Sequence, residues 1–599
     1  RSRGLGDVYK RQGVSEGQHL AKTSEAEFAQ EGYEPKFPSE IHRIPGGDKK
    51  WGINYGAAWR ECKRLNDLDA WEVWLEELPK LDNIGNPLRI YYMKWVYKWK
   101  LFNPPGEKER ARLCIVGNRH GATPGQKYSA AVTDSGFKLH VAQATYMQLN
   151  CRGTFDFSSA YIQLTRPREH WCFCYAPVDL IDRHGNVVKK GTIIACKRAW
   201  YGHWESARLL WMTLESILIK YGFENSTYEP AKFTYFDPKT SRYIMIVIYV
   251  DDGNLAARTR IEIYFVLAIF KAEGMVLNFE WFNDRYLGYD IEWFNDTKHS
   301  RRLCMSMSMR TYQAKLIKKY QHWIIEAKHK PKTLPSDPKI LDDQFEMLVK
   351  GDTTIYKKEQ LTKARSFVGE HMYLASKSSL AIPPSVNLLS RTQVRPGNEW
   401  WRLAKWLLLY IYGEQQRDPV LMYYAPADNS PVDFMLCSIC DASWRLTSNN
   451  RGLIGFATFI GWNDSWSLIE HGCGLTKSTG LSSSQTETTA MCTSSCKTLG
   501  KSNLLNQEGF THDAWLGGDN NTVLLNAKTG NNKKLSYMPH QNEHIYDAVK
   551  DKLHKEPEYV MTGANTTDLL SKRMKVPADF KHKLSTVYLF KTDTSFTNR

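Results

Sequence analysis

Tyr243-Ile244-Met245-Ile246-Val247-Ile248-Tyr249-Val250-Asp251-Asp252-Gly253-Asn254 is the stretch on which the reading of this chain turns. It opens as a strongly apolar run, rich in β-branched residues and of a length that suits a buried strand. Two adjacent carboxylates follow at its tip. Placed there they repel each other and lose hydration, so something positive should offset them, and a divalent metal is the natural partner. Asp-Asp-Gly-Asn is also good turn chemistry, so this segment alone leaves an acidic β-turn open.

Upstream, Asp156 stands in Thr154-Phe155-Asp156-Phe157-Ser158-Ser159-Ala160-Tyr161, after another predicted strand. An isolated Asp there would usually be a helix cap. Together the two segments could present carboxylates from neighbouring strands. Such a set could hold two hard cations about 4 Å apart, to activate an attacking hydroxyl and neutralise charge on a leaving group.

The chain has 599 residues, too many for one compact core, so several units are expected. With 42% hydrophobic and 13% aromatic residues it reads as globular rather than disordered. The formal charge of +16 favours a polyanionic partner, because each neutralised phosphate releases counterions. The longest apolar run, near Ile263 to Phe270, is far short of a membrane span, so no membrane partner is expected. Twelve irregularly spaced cysteines point to free thiols in a reducing compartment. The opening Ser2-Arg3-Gly4-Leu5-Gly6-Asp7-Val8-Tyr9-Lys10-Arg11-Gln12 resembles a translated sequencing-library adapter, so residues 1–12 are set outside the fold reasoning. Without its four cations and one anion the charge falls from +16 to +13, and the charge argument survives.

Along the rest of the chain, Trp59 to Leu65 and Trp71 to Leu75 carry helix-like spacing. Leu88 to Lys100 reads as a strand, Asn103-Pro104-Pro105-Gly106 as a turn, and Arg112 to Val116 as the returning strand. Helices are predicted at Ser206 to Tyr221 and Arg310 to Tyr320, and helical pattern dominates Tyr356 to Gly413. Pro426-Ala427-Asp428-Asn429-Ser430-Pro431 marks a linker. Beyond it come strand-rich segments, Phe434 to Cys440, Gly452 to Trp462 and Trp466 to Glu470, then alternating helices and strands.

At this point a resemblance becomes specific. Tyr249-Val250-Asp251-Asp252 is the tetrapeptide typical of reverse transcriptases, and its surroundings resemble the copia-type retrotransposon polymerase. That family's opening strand pair matches Lys94-Trp95-Val96-Tyr97-Lys98 and Arg110-Ala111-Arg112-Leu113. Its first catalytic block matches Phe155 to Tyr161, and the next matches Lys197-Arg198-Ala199-Trp200-Tyr201-Gly202. Tyr286 to Glu292, Ser366 to Leu374, Leu389-Ser390-Arg391 and Trp401 to Lys405 keep the order, and the likeness runs from about Trp59 to Met574. Arg110, His203-Trp204-Glu205-Ser206 and Gly253-Asn254 depart from the family's usual residues.

The resemblance implies Asp156, Asp251 and Asp252 as a metal triad. It implies Tyr161 beneath the sugar, excluding a 2′-hydroxyl, and Arg112 on the incoming triphosphate. Tyr201 and Gly202 would border nucleotide and template. Arg310, Lys315, Lys318 and Lys319 could track the duplex backbone, or simply form a solvated helix face.

The last part of the chain carries four spaced acids. Asp441 follows a strand, Glu487 lies in a helix opening at Ser482, Asp519 ends a strand and Asp568 starts a helix. Each alone reads as a turn, surface or cap residue. As a strand–helix–strand–helix series they resemble the four-acid metal site of RNase H, where two metals activate water to cleave the RNA strand of a hybrid. Cys440-Asp441-Ala442 lacks the second Asp common in the family, and no histidine shortly precedes Asp568.

The resulting expectation is an α+β chain. Residues 1–12 are the foreign start and 13–82 a helical lead-in; 83–300 form fingers and palm of a hand-like reverse transcriptase. Residues 301–425 form thumb and helical connection, 432–580 an α/β RNase H-like domain, and 581–599 a tail. Mg²⁺ or Mn²⁺, two per site, would serve as cofactor. RNA template, DNA primer, RNA–DNA hybrid and deoxynucleoside triphosphates would be the partners. The cytoplasm, within a retroelement particle, or the nucleus would be the compartment. A decayed or repurposed retroelement fragment that binds nucleic acid without catalysis is the competing class, separated from the enzyme by metal-dependent primer extension.

Other signals are discounted. Asp134-Ser135-Gly136 mimics an aspartic-protease triplet but falls inside the polymerase likeness. Cys437-Ser438-Ile439-Cys440 lacks a second ligand pair. Cys492 and Cys496 share a helix face and are expected to be buried.

Overall fold

The computed structural model describes residues 34–590 apart from 54–55, 83, 100–108, 118–127, 297–301, 341, 418, 426–433, 445–446, 448–450, 463–464, 478, 531–537, 586 and 588. The adapter-like start, the turn at 103–106 and the linker at 426–431 therefore lie outside the described residues. The chain is a mixed α/β protein with several sheets.

The first sheet runs in the order Trp71–Val73, Ile193–Cys196, Cys172–Tyr175, Tyr91–Trp99, Glu109–Ile115. Tyr91–Trp99 alternates strictly, burying Tyr91, Met93, Trp95 and Tyr97, so a period of two selects which aromatics enter the core. The helix-like spacing at Trp71 to Leu75 is corrected here. Trp71 and Val73 pair across to Cys196 and Ile194 in an antiparallel ladder. An aromatic and a β-branched residue with a waiting sheet edge prefer that ladder to a helical turn.

The second sheet has the order Leu277–Trp281, Cys151–Phe157, Asp252–Ala257, Arg242–Tyr249, Lys232–Asp237, Glu224–Asn225. Every residue from Tyr243 to Ile248 is buried, which explains an unbroken apolar run instead of alternation: the strand is covered on both faces. Helices Asp134–Tyr146 and Arg260–Ala272 pack against this sheet. Thr259 and Glu262 close a capping box on the second. Thr133 caps the first through the Gly136 amide, so Asp134-Ser135-Gly136 is the opening turn of a helix.

A third sheet joins Arg285–Tyr286, Tyr289–Asp296, Arg302–Ser308, Pro419–Tyr424 and Leu589–Phe590. Between its strands come helices Arg310–Lys319, Asp342–Gly351, Lys358–Lys377, Pro383–Thr392 and Asn398–Arg417. The expected division at 300/301 falls inside the hairpin of Tyr289–Asp296 with Arg302–Ser308. Leu589–Phe590, expected in a tail, pairs with Pro419–Val420. Neither pairing is written in local pattern.

The fourth sheet is ordered Ser465–Leu475, Leu453–Trp462, Phe434–Ser443, His512–Gly518, Glu558–Tyr559. Its first two pairings are antiparallel and its last two parallel, with helix Ser483–Gln507 packed against it. This unit packs against the helices before it: the rings of Phe434 and of Tyr146, at the end of helix Asp134–Tyr146, lie 4.3 Å apart, and His471 Nε2 donates to the carbonyl of Ala375, on helix Lys358–Lys377, at 2.7 Å. A fully buried ion pair, Lys232 with Glu508, sits in the same contact, and Gln143 Nε2 donates to Glu508 at 2.6 Å.

Removing one partner of such a pair strands a charge in the core. Glu508→Ala is therefore expected to cost about 3–5 kcal/mol in urea unfolding, and Glu508→Leu with Lys232→Met to recover most of it. An unfolding curve for Glu508→Ala that overlays the parent would show the pair to be dispensable. Among the described residues no helix is long and apolar enough to cross a membrane. All twelve cysteines carry free thiols.

Candidate active sites

The first site forms where three strands meet. Asp156 sits on a strand flanked on both sides, with Asp252 as its register partner on one side and Asn278 on the other. The turn linking the two hairpin strands is Tyr249-Val250-Asp251-Asp252, because Tyr249 pairs with Asp252. Gly253 and Asn254 therefore belong to a strand. The turn reading of Asp-Asp-Gly-Asn was displaced by two residues.

Val250 takes φ of 61°, a conformation costly for a β-branched side chain. The Phe157 amide donates to the Asp251 carbonyl at 3.0 Å, and Tyr286 Oη donates to the Asp252 carbonyl at 3.2 Å, bracing the turn from both sides. Asp156 and Asp252 are exposed, whereas Asp251 is half-buried. Burial, and then the charge of Asp156, raises the Asp251 carboxyl above its ordinary range. Two like charges held this way suit a cation between them.

Gly253 and Asn254, unusual for the family, have local reasons. A Cβ at 253 would strike the Phe155 ring. Asn254 Oδ1 lies 3.0 Å from Nε2 of the buried His140, whose pKa burial lowers to about 3, so the neutral ring donates to the amide oxygen.

Around the carboxylates the expected substrate residues converge. Ser159, at φ of 59°, starts the short helix Ala160–Gln163 that carries Tyr161. Its ring meets Tyr201 edge-on at 5.6 Å, and the Arg112 guanidinium lies 4.7 Å from the centre of the Tyr201 ring. Burial, then Asp251 and Tyr201, raises the Tyr161 phenol. Arg110 and Arg112 project from the same face of Glu109–Ile115, between buried Ala111 and Leu113, and both act to lower Asp251.

Gly202 has φ of 81°, and a Cβ there would strike the Ile115 carbonyl. The Ile115 amide donates to the Tyr201 carbonyl at 2.8 Å, so this contact stitches the arginine strand to the tyrosine. Gly202→Ala is expected to cost about 2 kcal/mol or more and to misplace Tyr201. Unchanged thermal unfolding would contradict that.

Sequence reading missed Arg64 here. It stands on helix Ala57–Asp67, is ion-paired to Glu61 at 2.6 Å and contributes charge beside Tyr201. The signal was present as an i,i+3 Glu–Arg pair in the stretch read as lead-in. Arg310, Lys315, Lys318 and Lys319 are exposed on their helix, with Lys319 engaged by Glu370.

The second site is tighter. Ile439 and Gly517 are register partners in parallel strands, and two residues on come Asp441 and Asp519, side by side. Glu487 enters from the first turns of Ser483–Gln507, started by Ser482 accepting from the Gln485 amide. Ligand oxygens of Asp441, Glu487 and Asp519 lie within 4.8 Å of one another. Among the described residues this holds for these three acids and not for the first triad.

Burial, partly offset by Lys572 and reinforced by Asp568, pushes Asp441 up to about 7. Burial and then Asp441 and Asp519 push Glu487 up to about 9. Asp519 accepts from Thr562 Oγ1 at 3.0 Å. The fourth expected acid stays beside Asp441 but outside the three-acid cluster: Asp568 is held by Lys572 and Lys583, each at 2.7 Å. Burial acts to raise its carboxyl, but the two lysines outweigh that and hold it below its ordinary range. Lys572 also reaches Asp441 at 3.2 Å, and Ser571 Oγ donates to the same carboxylate. Neither was singled out from sequence, although Asp568 and Lys572 stand at i,i+4 spacing.

No family model matches the chain, and no curated protein matches it. Among solved structures it is similar to a foamy viral protease–reverse transcriptase in complex with double-stranded DNA. The TM-score is 0.44 at 10% identity, over 89% of this chain and 72% of that one. A likeness that loose leaves the functional reading to the residues themselves.

Proposed function

We propose that the chain is an RNA-directed DNA polymerase of the copia-type retrotransposon lineage, joined to an RNase H that cleaves the RNA strand of hybrids. The observation carrying this reading is the register of Asp156 opposite Asp252, with Asp251 next to Asp252 in a braced turn, near Arg112 and the Tyr161–Tyr201 pair. Asp156, Asp251 and Asp252 would hold Mg²⁺ or Mn²⁺ in the first site, and Asp441, Glu487 and Asp519 in the second. Bound there, the cations neutralise charge on the phosphoryl group and lower the pKa of the attacking hydroxyl or water.

The chain's own groups do the rest. Arg112, with Arg110 and Arg64 near it, offers guanidinium donors to an incoming triphosphate. Tyr161, held against Tyr201, closes the space a ribose 2′-hydroxyl would need. The basic excess favours contacts to phosphate, making binding salt-sensitive and sequence-tolerant.

One observation favours a second reading for the nuclease half. Lys572 and Lys583 already neutralise Asp568, which would suit a hybrid-binding domain without cleavage. Primer extension on an RNA template with Mg²⁺ or Mn²⁺, beside hybrid cleavage in the same buffer, tests both halves. Binding without extension would overturn the polymerase proposal; extension without cleavage would favour the second reading for the nuclease alone.

A further inference from the structure

Cys492 and Cys496 lie four residues apart on helix Ser483–Gln507, so both thiols occupy one face. Helix Pro539–Lys550 packs against that face. It brings His544 Nε2 to 3.3 Å from Cys496 Sγ, and the three side chains offer ligand atoms all within 4.8 Å of one another. The expectation that both cysteines are buried is corrected: Cys496 is exposed, and Cys492 and His544 are half-buried.

We propose that Cys492, Cys496 and His544 form a zinc site, separate from both acidic centres. Zinc binds thiolate sulfur at about 2.3 Å and imidazole nitrogen at about 2.0–2.1 Å. In a tetrahedral arrangement that sets sulfur and nitrogen about 3.5 Å apart and two sulfurs about 3.8 Å apart. The observed spacing needs only small side-chain adjustment to meet those values. Two sulfurs and one imidazole form a borderline-soft donor set, which selects zinc and its neighbours over magnesium or calcium. Exposure of Cys496 gives the ion a route in and leaves the fourth position to solvent.

The buried trio Cys172, Cys174 and Cys196 is also clustered, but it lies sealed in the first sheet's core and has sulfur donors alone. It serves as the internal control.

The consequence is mechanical. Helix Pro539–Lys550 meets the Glu487-bearing helix through the Thr489–Gln541 hydrogen bond at 3.4 Å. A zinc tie about one and a half to two and a half turns beyond Glu487 would pin the two helices and couple metal binding to the stability of this unit.

The test is cobalt titration of the reduced full chain, read by absorption. We expect one equivalent to produce a thiolate-to-cobalt charge-transfer band with tetrahedral d–d absorption. Zinc should abolish it, Cys496→Ser and His544→Asn should lose it, and Cys174→Ser should keep it. Alkylation of Cys496 in the parent protein should slow about tenfold or more with zinc, a reading that requires no variant to fold. Absence of the thiolate band overturns the proposal, as does a band that survives both Cys496→Ser and His544→Asn. Alkylation indifferent to zinc yet altered by His544→Asn also overturns it, since the pair is then only a thiol–imidazole hydrogen bond.

Discussion

Asp251→Asn is expected to lower primer extension on an RNA template by about a thousandfold while leaving the thermal midpoint unchanged or slightly raised. The first half follows from the loss of one anionic ligand at a site that handles phosphoryl charge. Such stabilisation is worth several kcal/mol, and each ~1.4 kcal/mol is tenfold in rate. The second half follows from the direction of the Asp251 shift: burial and the neighbouring Asp156 disfavour its charge in the folded chain. A neutral isostere relieves that cost and keeps the turn, whose bracing contacts run to backbone carbonyls. Retained extension would sink the polymerase proposal. Loss of extension with a collapsed midpoint would mean that the substitution broke the fold instead.

The second large effect belongs to the other acidic site and reads out in stability as well as activity. Asp441 is pushed from 3.8 up to about 7 and Glu487 from 4.5 up to about 9. Folded pKa values above the unfolded ones mean that the folded chain holds these protons more tightly. The stability they contribute is complete below about pH 4 and is lost as pH rises through about 7 and then about 9. The metal-free protein should therefore show a thermal midpoint that falls between about pH 5 and about pH 9.

Mg²⁺ or Mn²⁺ should restore the midpoint, most strongly at the alkaline end. Glu487→Gln should flatten the metal-free profile, and Asp441→Asn should reduce hybrid cleavage by about a thousandfold. A profile identical in the Glu487→Gln protein would show that these carboxylates are not the titrating groups. Hybrid cleavage unaffected by Asp441→Asn would remove the site from the reaction.

Much of this was legible locally. The run Tyr243 to Val250 announced a buried strand, and the acids at its end announced where charge would gather. Arg112 was readable as a strand residue, but the strand opens earlier, at Glu109, and so carries Arg110 on the same face. Elsewhere local pattern misled. Trp71 to Leu75 fits a helix by spacing, yet Trp71–Val73 finds a sheet edge that only the fold of residues 172–196 provides. Gly253 and Asn254 looked like turn residues and departures from the family; Phe155 and His140 explain them.

By itself the sequence determined the positions of the strands that carry Asp156 and Asp441 and of the strand that leads into Asp251, since hydrophobic period and bounding acids act over a few residues. Tertiary structure alone decided what those acids face. It set Asp252 against Asp156, turned Asp568 toward Lys572 and Lys583, and brought His544 across 48 residues to Cys496. The physical reason is range. Backbone propensity and period are nearest-neighbour properties, whereas the partner of a buried charge or an exposed thiol is set by which distant segment the packed core delivers beside it.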